Sequence, residues 1–136
     1  MRIGIRGVVH QNLIRMMAGY FQRQGYTDIR ADVTGYSQPA KISDCTPDLT
    51  CRKGDHRRTP IILEAETCDT LSDAHTHDQW MAFYHYARSI GGEFYIVVPT
   101  LCNNISGRDL VRQRLIHLGI SADAIWVPRD RLRLLA

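Results

Sequence analysis

A chain of 136 residues, 44% hydrophobic and 23% charged, can bury one core without staples and is short enough to be a single domain over 1–136. No apolar run approaches the length of a membrane span, and Met1-Arg2-Ile3-Gly4 does not open a signal-peptide core, so a cytoplasmic protein with no membrane partner is expected. The net charge is only +3, but the positive charge is mostly arginine and clusters at Arg52, Lys53, Arg57 and Arg58, at Arg108, Arg112 and Arg114, and at Arg129, Arg131 and Arg133.

The first six residues carry no clear signal. From Val8, the residues Val9, Leu13, Met16, Met17, Tyr20 and Phe21 repeat at helical spacing, and Gly25 stands where a helix would stop. Residues 26–33 alternate β-branched and aromatic positions as a strand does, and 35–44, with Gly, Ser and Pro, read as a loop. Residues 46–52 and 59–67 read as two strands joined by a polar hairpin link at 53–58. A second helix starts either at the capping-box spacing Thr76-His77-Asp78-Gln79 or nearer Ser72. It carries Trp80, Phe83, Tyr84, Ala87 and Ile90 on one stripe and ends at Gly91-Gly92.

Residues 93–98 form a short apolar run without alternation, the pattern of a strand covered on both faces. Ser106 caps a third helix with Leu110, Val111, Leu115 and Leu118 inward and Gly119 closing it, and 124–127 is a last strand. The tail 129–136 alternates Arg with Leu, and Leu132, Leu134 and Leu135 suit either an added strand or burial in a dimer partner. The element order αβββαβαβ predicts an α/β fold with a mixed central sheet flanked by helices.

Four cysteines, Cys45, Cys51, Cys68 and Cys102, show no CxxC spacing and are expected to be free core thiols. The polar run Asp73-Ala74-His75-Thr76-His77-Asp78 fits no zinc motif and reads as the start of the second helix. Chemistry concentrates at 46–67. Strand alternation puts Glu64 and Glu66 on one face, with Leu63 and Ala65 on the other. With Asp48 across the hairpin, three carboxylates share one site, an arrangement that needs protons or an oxygen-seeking divalent cation to neutralise it. Arginines rimming such a centre would hold a backbone phosphate beside the metal.

Several stretches carry a family likeness in their order. They are Gly7-Val8-Val9-His10 opening the first helix, Gly25-Tyr26 before a strand with Arg30, Gly35 ahead of Pro47-Asp48-Leu49, Ile62-Leu63-Glu64-Ala65-Glu66, and Gly91-Gly92-Glu93-Phe94-Tyr95-Ile96. Together they resemble the PD-(D/E)xK nuclease superfamily, and within it the archaeal-type Holliday junction resolvases. The likeness runs from about Gly7 to Pro99 and implies a restriction-endonuclease-like fold. It also implies metal-dependent hydrolysis of DNA, including branched DNA, and a homodimer.

Position by position, the resemblance implies Asp48, Glu64 and the backbone carbonyl of Ala65 as ligands of Mg²⁺ or Mn²⁺. It puts Glu66 where the family's lysine stands and His10 where its first glutamate stands. Gln79 with Phe83 is similar to the Gln-x-x-x-aromatic element of exonuclease-type relatives, with a simple helix cap as the other reading of Gln79. Asp48, Glu64, Glu66, His10 and Gln79 are thus the candidate catalytic residues, and Arg52, Lys53, Arg57 and Arg58 the candidate DNA contacts. Because two of the usual groups are replaced, the alternative is a nucleic-acid-binding or assembly protein that keeps the fold without hydrolysis.

Overall fold

A computed structural model describes residues 5–128, so the expectation for the tail at 129–136, including Leu132, Leu134 and Leu135 and the last arginine cluster, falls outside the described residues. The elements are α1 (Ile5–Arg23), β1 (Thr27–Ala31), β2 (Leu49–Arg52), β3 (Pro60–Ala65), α2 (Ala74–Ser89), β4 (Glu93–Val97), β5 (Leu101–Cys102), β6 (Ile105–Ser106), α3 (Gly107–Leu118) and β7 (Ala124–Trp126). Five strands form one sheet in the order β1-β2-β3-β4-β7. β1, β2 and β3 are antiparallel neighbours, whereas β3, β4 and β7 run parallel. β3 is therefore the strand at which the sheet changes character. The ribbon of β5 and β6, not anticipated from the sequence, stands apart from this sheet.

Period two along β3 divides the core. Ile61, Leu63 and Ala65 pack with Leu13, Ile14, Met17, Ala18 and Phe21 of α1 on one face. Ile62, with Phe94 and Ile96 of β4, packs with Trp80, Phe83 and Ala87 of α2 and with Val111 and Leu115 of α3 on the other. β4 is buried from Phe94 onward because helices cover both faces, as its unbroken apolar run predicts. Val9, expected on the buried stripe of α1, is 37% exposed, since the stripe rotates onto Leu13, Ile14, Met17 and Ala18.

The helix ends follow local chemistry. Gly25 and Gly119 take left-handed backbone angles (φ 84° and 72°) that a side chain would strain. Ser106 caps α3 by accepting the Asp109 N–H. At α2 the capping box on Thr76 is not formed. Asp73 is the cap, accepting the His75 N–H at 3.0 Å, so the helix starts one turn earlier and Thr76 is buried within it. The His-rich run is this helix start, and His77 is spent on the Leu71 carbonyl at 2.9 Å.

One expectation about the cysteines fails. Cys68 and Cys102 form a disulfide, because the turn after β3 and the β5 strand come within 5.5 Å at their Cα atoms, a closeness that no sequence spacing reveals. Cys45 and Cys51 are free, as expected. Burial pushes the Cys51 thiol up to about 12, so it is an inert packing group among the α1-side residues.

The ribbon meets α3 at a close backbone approach. A Cβ added to Gly107 would lie 1.9 Å from the Pro99 carbonyl oxygen, and neither backbone can yield without shifting a strand end. Gly107→Ala should therefore destabilise the protein by about 2 to 3 kcal/mol. Urea unfolding checks this, and a loss below about 0.5 kcal/mol would show that the approach is relaxed in solution.

Candidate functional site

The β2–β3 ladder pairs Leu49 with Leu63, and the next step outward brings Asp48 opposite Glu64. There the side chains take over from the backbone. The Asp48 N–H donates to Glu64 Oε1 at 2.9 Å, and the Ala65 N–H donates to Asp48 Oδ2 at 2.8 Å. Each carboxylate thus satisfies a backbone donor of the opposite strand, a charge-assisted arrangement that fixes both side chains. His10, projecting from the first half of α1, places Nε2 3.2 Å from the same Asp48 Oδ2.

Glu66 follows β3 on the same face as Glu64. Its N–H donates to the Val97 carbonyl, so its backbone continues the parallel pairing with β4. Both carboxyl oxygens are held: Oε1 accepts from the Thr70 hydroxyl at 2.7 Å and Oε2 from the Trp80 indole N–H at 3.0 Å. Trp80 is fully buried, and its indole N–H, like any buried donor, must find an acceptor. Thr70 and Trp80 are functional neighbours that sequence reading missed. Trp80 was visible only as an apolar stripe position, although a donor on that stripe one residue after Gln79 was a usable signal.

His10, Asp48, Glu64, Ala65, Glu66 and Gln79 line one cleft of about 730 Å³. With α2 starting at Ala74, Gln79 lies inside the helix and on the cleft wall and is not a cap. The opposite wall comes from the end of β1 and the loop after it, where Asp32 accepts a hydrogen bond from Gln38 at 3.2 Å. Asp32 is a fourth carboxylate at the cleft, and nothing in its sequence surroundings marked it.

The expected basic rim is not at this site. No Lys or Arg lines the cleft among the described residues. Arg52 pairs with Pro60 at the other end of β3, four residues from Glu64 and so roughly 13 Å away along the strand. Lys53 is bound to Glu93 at 2.9 Å, Arg52 donates to the Arg58 carbonyl at 3.1 Å, Arg58 reaches Thr27 at 3.4 Å, and Arg57 is exposed. The hairpin that joins the carboxylate strands turns at the end of the sheet remote from the carboxylates, which separates the two charge clusters.

Asp48, Glu64 and Glu66 are 8%, 3% and 2% exposed, so three acidic groups share a poorly solvated space. Burial, and then the nearby Asp48 and Glu66 charges, push Glu64 well above the usual carboxylate range. Burial pushes Glu66 up to about 7, against the hydrogen bonds from Thr70 and Trp80 that favour its charged form. Among the described residues, no three His, Cys, Asp or Glu side chains are gathered as a ready-made metal cage. The donor set proposed from sequence needs only two carboxylates and one carbonyl. In that set the hydrogen bonds occupy Asp48 Oδ2 and Glu64 Oε1, leaving Asp48 Oδ1 and Glu64 Oε2 without them.

A carboxyl that binds its proton more tightly in the folded state than in the unfolded chain makes folding weaken as pH rises. Stability should therefore fall from about pH 4.5, the ordinary value, to about 7, where Glu66 ionises in the fold, by on the order of 3 kcal/mol for that group. Urea midpoints across that range test this, and Glu66→Gln should flatten the slope. An unchanged slope in the variant would assign the effect elsewhere.

Compared with protein-family models, curated proteins and solved structures, this mixed-sheet α/β chain with its carboxylate-lined cleft matches none.

Proposed function

We propose that the protein is a divalent-metal-dependent endonuclease that hydrolyses DNA phosphodiester bonds, with a Glu-x-Glu variant of the PD-(D/E)xK site on a restriction-endonuclease-like fold. One observation carries the reading. Five residues named from sequence, His10, Asp48, Glu64, Glu66 and Gln79, come from α1, β2, β3 and α2 to line a single cleft. The sheet order, with antiparallel strands on one side of β3 and parallel strands on the other, supports the same reading.

In this proposal Asp48, Glu64 and the Ala65 carbonyl hold Mg²⁺ or Mn²⁺. When bound, the ion supplies a Lewis acid for a phosphoryl oxygen and acidifies a water. Glu66, held by Thr70 and Trp80 and pushed up to about 7 by burial, would serve as the general base toward an attacking water. His10 orients Asp48 through Oδ2 and offers a second proton acceptor. Arg52, Lys53, Arg57 and Arg58 would engage phosphates away from the scissile bond, the nearest of them, Arg52, about 13 Å along the sheet from Glu64. Branched DNA as the preferred substrate and a homodimer as the working form belong to this proposal.

The second reading, a non-catalytic nucleic-acid-binding or assembly protein on the same fold, is favoured by the absence of any Lys or Arg lining the cleft among the described residues. A single experiment separates the two. Linear, single-stranded and four-way-junction DNA are incubated with the protein and Mn²⁺ or Mg²⁺, beside Asp48→Ala. Since disturbing groups behind metal ligands costs about 10- to 100-fold, loss of a ligand should cost at least ~100-fold in cleavage. No cleavage on any substrate, with salt-dependent DNA binding retained in both proteins, would establish the second reading.

Metal linkage gives an independent check. Mn²⁺ should raise Tm more at pH 8 than at pH 5, because protons compete with the ion for Glu64, and Asp48→Ala should remove the increment. An equal Mn²⁺ effect in wild type and variant would sink this ligand set.

A further inference from the structure

We propose that the Cys68–Cys102 bridge is a modification site for a dithiol reductant, and that its reduction releases the turn that grips Glu66. Cys68 lies two residues beyond Glu66, inside a turn whose hydrogen bonds include Thr70 N–H to the Thr67 carbonyl at 3.1 Å, Thr67 N–H to Thr70 Oγ1 at 3.1 Å, Thr67 Oγ1 to Asp69 Oδ1 at 2.6 Å, and Thr70 Oγ1 to Glu66 Oε1 at 2.7 Å. The next link, Asp73 N–H to the Thr70 carbonyl at 3.1 Å, leads directly to the cap of α2 and hence to Gln79 and Trp80. One turn therefore sets the Thr70 clamp and the start of the helix that carries the other clamp.

This turn has little packing of its own. Cys68, Asp69, Ser72 and Asp73 are exposed, and Leu71 is the buried apolar anchor between them. The bridge ties the turn to Cys102, which is 5% exposed and packed with the α2 and α3 side chains, in a ribbon held by the Leu101–Ser106 and Cys102–Ile105 pairs. Breaking the bridge leaves the ribbon anchored and the turn held by the buried Thr67 and Leu71 and by its hydrogen bonds.

The two cysteines differ in access, which fixes the order of events. A thiolate of the dithiol attacks Sγ of Cys68, the exposed residue of the pair. The bond between the two sulfurs breaks, and Cys102 leaves with the electron pair and takes up a proton. The second thiol of the reductant then attacks the mixed disulfide on Cys68 and frees it. The protein gains two electrons and two protons, and the dithiol becomes a cyclic disulfide. Oxidised dithiol reverses the sequence.

The structural part of this inference stands by itself, while its consequence for cleavage rests on the nuclease reading. The test is amide hydrogen exchange on the full chain, oxidised and after incubation with excess dithiothreitol without denaturant. The expected result is reduction of the bridge in the folded protein and at least tenfold faster exchange at Thr67, Thr70 and Asp73, with Leu63 and Ile96 unchanged. Re-oxidation should restore protection, and Cys68→Ser with Cys102→Ser should reproduce the reduced pattern. A bridge that resists reduction until the protein unfolds, equal exchange in both states, or a uniform rise across the sheet would each overturn the proposal. Cleavage assayed in both states completes the test. Activity that is equal in both would overturn control of the site, whereas no cleavage in either state, with the exchange difference intact, would sink the nuclease reading and leave the redox turn standing.

Discussion

The structure depends on a reciprocal exchange at the end of the β2–β3 ladder, where the Glu64 side chain accepts the Asp48 N–H and the Asp48 side chain accepts the Ala65 N–H. Ordinary strand pairing would have used two backbone carbonyls there. Substituting carboxylates satisfies the same donors and brings two acidic groups into an almost dry space, where each unneutralised charge is costly. The fold accepts that cost because the alternative is worse. A donor left unpaired at the end of a buried strand loses its hydration and gains nothing. The connection between the pairing and the acidity of the cleft is therefore direct: the groups that finish the open end of the β2–β3 pair are the groups that make the site.

The position of the cleft follows from the change in β3 between antiparallel and parallel neighbours. On the β2 side, the chain arrives through the long connection from β1, whose Asp32 and Gln38 form one wall. On the β4 side, the chain leaves β3 into the turn and α2, which must cross the sheet face to start a parallel strand. The ends of two different kinds of connection thus diverge from one strand end, and a crevice opens between them. Glu66 sits at the departure point, which is why a short turn and a helix side chain can hold both of its oxygens.

Charge is arranged by topology more than by sequence distance. Arg52 and Lys53 are closer in sequence to Asp48 than Glu64 is, yet the hairpin carries them to the far end of the sheet and returns Glu64 to the side of Asp48. Lys53 there neutralises Glu93 instead, and the Tyr95 hydroxyl donates to the same carboxylate. The polar ends of the sheet are consequently distinct: one is acidic and buried, the other basic, partly paired and solvated.

Much of this was legible in the chain because it depends on local periodicity. The 3.6-residue stripes of α1, α2 and α3, apart from Val9 and Ile90, which are exposed, the period-two alternation that puts Glu64 and Glu66 opposite Leu63 and Ala65, the Ser106 cap and the stops at Gly25 and Gly119 are all set by neighbouring residues. So is the convergence of Asp48 with Glu64, since antiparallel strands adjacent in the chain pair with each other. Tertiary structure decided what local rules leave open. It chose Asp73 over Thr76 as the α2 cap, joined Cys68 to Cys102 across 34 residues, enlisted Thr70 and Trp80 for Glu66, and sent the basic hairpin away from the acids it precedes. Each of these is a contact between segments whose separation in the chain says nothing of their distance in space, and only the packing of helices on the sheet determines it.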